Sequence, residues 1–124
     1  MNMVRPTTED ELSKWETQLR KGGLGLAVLA TLWEGRLYGL EILRRLDAEA
    51  GLSVPEGTIY PLLSRLKTEG LVASEWVEAD AGHPRKYYAL TELGRVRVRD
   101  MAGAWESFAR GLERLLGPLK GDDR

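Results

Sequence analysis

Apolar residues at helical spacing dominate the first part of the chain. Leu12, Trp15 and Leu19 recur on one face of a helix predicted from about Glu9 to Lys21. Gly22-Gly23 is expected to end this helix, because glycine is a poor helix former. A helix so short and so charged is not stable alone, so we expect it to dock on another surface.

A second helix is predicted from Leu24 to Trp33, and it is apolar on nearly all sides. Such a helix is buried on most faces, so we place it at the centre of the domain. After a turn at residues 34–36, a third helix carries an apolar stripe (Leu40, Ile42, Leu43, Leu46, Ala50) and ends at Gly51, which suits the C′ position.

The segment from Ser53 to Leu90 joins a helix to a two-stranded hairpin. The helix, from Pro55 to about Glu69, has Ile59, Leu62, Leu63 and Leu66 on its inner face and Gly57, Pro61, Ser64, Arg65 and Thr68 on the opposite face. Strands are predicted at 71–78 and 85–90, with a turn from Ala79 to Pro84 between them. This order is what a winged helix-turn-helix needs, with one helix in the DNA major groove and the hairpin as its wing.

Three helix starts carry capping residues. Thr8 with Glu11, and Ser53 with Glu56, have the spacing of a capping box. Thr91 is placed to cap the last helix.

The last helix carries a heptad seam. Val98, Met101, Trp105, Phe108, Leu112, Leu115 and Leu119 follow spacings of three and four residues. Gly117-Pro118 is expected to end the helix, which leaves Leu119 beyond it. Such a stripe needs a partner helix. We therefore expect a homodimer through Leu12, Trp15, Leu19, Val98, Met101, Trp105, Phe108, Leu112 and Leu115; the alternative is burial within one chain.

Composition narrows the function. At 124 residues and 43% apolar, the chain predicts one compact domain. The net charge is −1, so DNA binding would need a local basic surface. The chain has no cysteine, so we expect no thiol chemistry and no Cys-His site. Around its single histidine, His83, we expect no Ser-His-Asp arrangement. We therefore expect no enzyme, no metal and no cofactor. The longest apolar run, 22–33, is too short for a bilayer, and the first residues lack a signal-peptide core; we expect a cytoplasmic protein without membrane contact.

Candidate DNA contacts follow from this arrangement. Hydroxyl and cationic side chains can bind bases or phosphates, and glycine and proline shape the approach. The candidates are Tyr38, Ser53, Thr58, Tyr60, Pro61, Ser64, Arg65, Lys67, His83, Arg85 and Lys86. The alternative is a solvated helix face and a solvated hairpin tip.

The charge of this segment supports a rival function. Between Val54 and Leu90, four basic residues stand against five acidic residues, a net charge of −1. This balance favours a winged interaction or ligand-binding module without specific DNA binding.

Two stretches closely resemble the PadR family of bacterial transcriptional regulators. They are EGTIYPLLSRLKTEGL (56–71) and GHPRKYYALTELG (82–94). The resemblance implies a winged domain, here 23–90, and a C-terminal dimerisation helix, here within 91–124, where the last residues (KGDDR) are expected to form a disordered tail. Residues 1–22 are expected to form a packing helix. It also implies binding of double-stranded DNA at a pseudo-palindromic operator, with repression expected.

The single short C-terminal helix is similar to the smaller branch of that family. Some of its members sense aromatic, cationic or phenolic molecules at the dimer interface. By that resemblance, Trp15, Met101, Trp105 and Phe108 would line a pocket for a small aromatic effector. Plain interface packing is the alternative for Trp105.

Overall fold

The computed structural model describes residues 8–78 and 82–121. It is mostly α-helical with a small three-stranded antiparallel sheet, as the sequence predicts. The elements in chain order are α1 (Glu9–Thr31), β1 (Leu37–Tyr38), α2 (Gly39–Ala50), α3 (Glu56–Thr68), β2 (Val72–Val77), β3 (Arg85–Leu90) and α4 (Glu92–Gly121). Among the described residues, none of the helices combines the length and the apolar character that crossing a bilayer requires.

Helix α1 is one continuous helix, so the predicted break at Gly22-Gly23 is wrong. The predicted Thr8–Glu11 capping box is present and starts the helix. Burial of Val28 and Leu29 fixes its other end. A helical glycine costs only about 1 kcal/mol relative to alanine, which a cap and tertiary packing together offset. Neither glycine adopts the positive φ that ends a helix.

The core lies where the second half of α1 meets α2, α3 and the sheet. The predicted inner face of α3 is confirmed, because Ile59, Leu62, Leu63 and Leu66 are all buried. The rest of the core consists of Val28, Leu29, Leu32, Ile42, Leu46, Leu71, Val72, Tyr88 and Val98. The predicted turn at 34–36 and the left-handed Gly51 (φ 65°) are also confirmed. These contacts fix the orientation of α3 and decide which of its faces reaches solvent.

Helix α3 begins later than predicted, and the Ser53–Glu56 capping box is wrong. Pro55 occupies the N-cap position and no side chain caps the helix. The Pro55 carbonyl accepts from the N–H groups of Thr58 and Ile59, at 2.9 and 3.1 Å. A residue before proline is disfavoured in the α region, so Val54 cannot start the helix and Ser53 falls outside it.

The sheet has the order β1-β3-β2. Strands β2 and β3 form the predicted hairpin, from the pair Val72–Leu90 to the pair Val77–Arg85. Strand β1 pairs with β3 and was not predicted, since two residues are too short to show alternation. In the predicted Ala79–Pro84 turn, residues 79–81 lie outside the described residues, and Gly82 has a φ of 78°.

Helix α4 starts at the predicted cap. The Gly94 N–H donates to Thr91 Oγ1 at 2.9 Å, and the Thr91 hydroxyl donates to the Gly70 carbonyl at 2.6 Å. The predicted stop at Gly117-Pro118 is wrong, because the helix continues to Gly121 and includes Leu119. Proline removes one backbone hydrogen bond, and the carbonyl freed by it lies in an exposed stretch where water can serve instead.

Candidate nucleic-acid interface

The solvent-facing side of α3 is built from small residues. Successive residues of a helix are about 100° apart, so the side of α3 opposite to its buried face carries Gly57, Pro61, Ser64 and Thr68. All four are exposed. We call this line the α3 crest. A helix with a low crest can bring its backbone close to the floor of a groove.

A groove lies beside the crest, between α3 and the sheet. Its volume is about 580 Å³. We call it the wing groove, and its lining residues are Tyr38, Gly39, Tyr60, Ser64, Lys67, Trp76, Arg85, Lys86 and Tyr88. Three of these side chains are cationic and none of them is a carboxylate. The groove is therefore a local basic surface on a chain whose net charge is −1.

Aromatic rings hold the cations of the wing groove. The Arg85 guanidinium lies 4.6 Å from the centroid of the Tyr38 ring. The Lys86 ammonium lies 5.8 Å from the Trp76 ring and 5.9 Å from the Tyr88 ring. Cation–π attraction at these distances favours the positions without neutralising the charges, which stay available to an anion.

The described acidic residues of the segment do not line the wing groove. Glu75 bonds Arg36 at 2.7 Å, and strand alternation places it on the face of β2 opposite to Trp76. Glu69 lies 3.7 Å from Arg65. Glu56 and Glu78 are exposed and do not line the groove, whereas Asp80 lies outside the described residues. The net charge of residues 54–90 is negative, but no carboxylate belongs to the described lining of the wing groove.

Tyr60 lies at the inner wall of the groove, in space that Gly39 leaves open for its ring. A Cβ at Gly39 would overlap the Tyr60 ring, so only glycine leaves this close approach open. Tyr88 forms part of the floor and is only 6% exposed. Its burial raises the pKa of the Tyr88 hydroxyl above 10.0, and Tyr60 adds to the shift. Tyr88 is thus a neutral floor residue at physiological pH.

The predicted DNA contacts fall into three sets. Tyr38, Tyr60, Ser64, Lys67, Arg85 and Lys86 come together in the wing groove. Thr58, Pro61 and Arg65 lie along a different groove, on the other side of the crest. Ser53 and His83 are exposed and line neither groove. Sequence reasoning missed Trp76 as a groove residue, although its place in a strand next to a basic hairpin was the available signal.

The apolar seam runs along α4 and is largely open in the single chain. Trp105 is 50% exposed, Phe108 60% and Leu115 77%. The rings of Trp105 and Phe108 lie 6.2 Å apart. The predicted seam residue Val98, by contrast, is buried in the chain's own core, and Met101 packs against that core. The remaining exposed members of the predicted dimer surface are Leu12, Trp15, Leu19 and Leu112.

No cluster of metal-ligating side chains is found within residues 8–78 and 82–121. Groups of at least three His, Asp or Glu side chains close enough to hold an ion do not occur there. The three cations of the wing groove, beside the α3 crest, suit a polyanion.

Comparisons with known proteins give the same picture. Residues 28–100 match the model of the transcriptional regulator PadR-like family. The crystal structure of a PadR family transcriptional regulator from Eggerthella lenta is 36% identical, with a TM-score of 0.77 over 87% of this chain and 94% of that one. A PadR-like transcriptional regulator from Bacillus cereus is 30% identical, with a TM-score of 0.73 over 80% and 96%.

A curated relative agrees with the structural neighbours. The transcriptional regulator Rv3488 of Mycobacterium tuberculosis is 30% identical over 93 residues, which cover 75% of this chain and 85% of that protein. The family match runs from the last turn of α1 through α3 and the hairpin to the first part of α4. The chain belongs to the PadR-like family of transcriptional regulators, a family of DNA-binding regulators and not of enzymes.

Proposed function

We propose that this protein is a homodimeric repressor that binds a pseudo-palindromic operator through α3 and the wing. The observation that carries the proposal is the wing groove, where Lys67, Arg85 and Lys86 meet with no carboxylate in the lining. Cations gathered beside an exposed helix face suit the phosphates that border a major groove.

In this proposal the α3 crest enters the major groove, which is about 12 Å wide. Ser64 lies on the crest and is best placed to reach base edges. Arg65 flanks the crest on the side of α1. Lys67, Arg85 and Lys86 bind phosphates of the strand that passes through the wing groove. Tyr38 and Tyr60 add hydroxyls to the same strand. Thr58 and Ser53 lie near the start of α3, and His83 reaches the backbone from the wing tip.

The second copy is proposed to cover the seam. Trp105, Phe108 and Leu115 are large apolar side chains exposed on one chain, and burial of each contributes about 1.5–3 kcal/mol before entropy is subtracted. Two copies related by a two-fold axis would present two α3 helices about 34–36 Å apart, one DNA turn. Repression follows if the occupied operator overlaps the promoter.

An effector is proposed at the same interface. The tilted pair of Trp105 and Phe108, with Met101 beside it and Trp15 of the packing helix, offers flat apolar surface for a small aromatic molecule. Such a molecule releases the operator only if it binds one spacing of the two winged domains better than the other. Quenching of Trp105 fluorescence by added ligands, absent in Trp105→Phe, tests this part separately.

Fluorescence anisotropy tests DNA binding directly. The duplex is the region upstream of the protein's own gene, a scrambled duplex is the reference, and each is titrated at low and moderate salt. We expect preference for the upstream duplex and affinity that falls as salt rises. Lys86→Ala should weaken binding to both duplexes and lower the salt slope by about one.

Lys14→Ala is the matched control for the loss of one charge. Lys14 lies on α1, its side chain is 77% exposed, and it faces Asp10 at 3.8 Å. It should bind DNA like the wild type. Equal weak binding of the wild type to both duplexes would contradict the proposal and favour a winged module that serves another partner.

A further inference from the structure

We infer that the protein has a second phosphate-backbone site, in which Lys21 of α1 and Arg65 of α3 hold the DNA strand opposite to the one in the wing groove. This inference rests on the proposed function, because it concerns the same bound duplex. It adds Lys21 of α1, which lies outside the predicted winged domain (23–90), to the DNA-binding surface.

The site is the groove on the other side of α3. Its volume is about 500 Å³. We call it the α1 groove, and its lining residues are Lys21, Leu24, Gly25, Gly57, Thr58, Pro61, Leu62 and Arg65. The lining has two cations and a hydroxyl around a small apolar floor, and no carboxylate. That chemistry fits a phosphate with its sugar.

The geometry of α3 places the two grooves symmetrically about the crest. At about 100° per residue, Tyr60, Ser64 and Lys67 turn toward the wing, whereas Thr58 and Arg65 turn toward α1 by a similar angle. A helix seated in a major groove has a phosphate backbone on each side of it. A protein with cations on one flank alone would leave the other strand unneutralised, and this chain has them on both.

The α1 groove is also unobstructed. A Cβ added at Gly25 or at Gly57 would meet no atom within 4 Å. The groove therefore has room for a backbone to approach both helices closely, and small residues at both walls preserve that room. The continuity of α1 through Gly22-Gly23 is what brings Lys21 beside α3.

The two cations are free to bind a phosphate. Lys21 is exposed, and no ion pair involves it within the described part of the chain. Arg65 faces Glu69 at 3.7 Å, with both side chains about half exposed or more. Exposed pairs of this kind contribute little, so the guanidinium can exchange the carboxylate for a phosphate at small cost. Thr58 can donate its hydroxyl to the same phosphate.

The test compares three single substitutions in one assay: Lys21→Ala, Lys86→Ala and Lys14→Ala. Each is titrated by anisotropy against the upstream and scrambled duplexes over a series of salt concentrations. Lys21→Ala should weaken binding to both duplexes by a similar factor and lower the salt slope by about one, because a phosphate contact carries no sequence information. Lys21→Arg should restore both, and Lys14→Ala, on the same helix, should match the wild type.

The outcomes separate this inference from the proposed function. If Lys86→Ala weakens binding while Lys21→Ala leaves affinity and slope unchanged, the α1 groove is no DNA site and the proposed function stands. If the wild type shows neither promoter preference nor salt dependence, the proposed function is contradicted, and the second site is contradicted with it.

Lys21→Ala could also weaken DNA binding by weakening the dimer, and sedimentation distinguishes this effect from the loss of a phosphate contact. Sedimentation of Lys21→Ala at the assay concentration should give the wild-type mass, and its thermal unfolding should be unchanged. A lower mass would overturn the assignment, because the weaker binding would then come from loss of the second copy.

Discussion

The winged region and the projecting helix ends differ in whether one chain can bury their apolar residues. In the winged region, Leu29 and Ile59 are 0% exposed and pack on three helices and a sheet. On the outer parts of α1 and α4, Trp15 is 56% exposed and Leu115 77%. The first region closes its own core, and the second presents a stripe that needs another surface.

The same two helices run through both regions. Helix α1 has its last turns in the core and its first turns outside it, and α4 has Val98 inside and Trp105 outside. Continuous helices of 23 and 30 residues therefore run from the exposed seam into the core that orients α3. If two copies pack at the seam as proposed, a change in that packing moves the two α3 helices relative to each other.

Leu29→Ala should produce the largest effect on the winged region. Removing a fully buried leucine side chain costs about 2–5 kcal/mol, from lost burial and the cavity that remains. Urea unfolding should show this loss in the free energy of unfolding. Leu115→Ala is the control, and at concentrations where the protein is monomeric it should unfold like the wild type; equal losses from both would remove the distinction between the regions.

Trp105→Ala should act on assembly rather than on the fold. The side chain is half exposed on one chain, so a second copy can bury about half of the ring on each chain. The two rings together should contribute about 1.5–3 kcal/mol, which is a change of roughly 10- to 150-fold in the dimer dissociation constant. Sedimentation equilibrium measures it. Trp76→Ala removes an equally large, 67% exposed ring from the wing, and it should leave the constant unchanged.

Two glycines of α4 sharpen the comparison within one helix. A Cβ at Gly94 would overlap the Leu71 carbonyl of the backbone, whereas a Cβ at Gly103 would meet nothing within 4 Å. We expect Gly94→Ala to destabilise the monomer by about 1–3 kcal/mol through overpacking. Gly103→Ala should stabilise it by up to about 1 kcal/mol, since alanine favours helix. Thermal unfolding should show a lower melting temperature for Gly94→Ala and a higher one for Gly103→Ala. A shift in the same direction for both variants would contradict this packing.

Tyr88→Phe should have the smallest effect, and only at alkaline pH. Burial raises the pKa of Tyr88 above 10.0, so the folded state binds the phenolic proton more tightly than the unfolded state. The stabilisation is present below pH 10 and is lost as the pH rises through the folded pKa. Melting temperatures from pH 9 to pH 11 should fall less for the phenylalanine variant, and parallel curves would contradict the assignment.

Local patterns were enough to predict much of the fold. The four inner residues of α3 follow from helical spacing alone, and the bounds of β3 follow from a strand-like run between turn residues. The continuity of α1 could not be predicted, because glycine propensity is a local signal and the burial of Val28 and Leu29 is a tertiary one. Strand β1 has no period to detect in two residues, and it forms because β3 offers a free edge.

The candidate site was predictable in part for the same reason. Cationic and hydroxyl residues of α3 and the wing stand out in the sequence. Their division between two grooves depends on how α3 sits against α1 and the sheet. Lys21 carries no signal until that packing is known, and the only signal for Trp76 is its place in a strand next to the basic hairpin.

The most direct test is the mass of the protein bound to a duplex that carries the operator, measured by sedimentation velocity across a range of protein concentrations. Two chains per duplex, bound together rather than one after the other, are expected if the winged region reads DNA and the exposed seam joins two copies. A stable complex of one chain per duplex, with the seam still open, would contradict the proposed division of roles between the two regions.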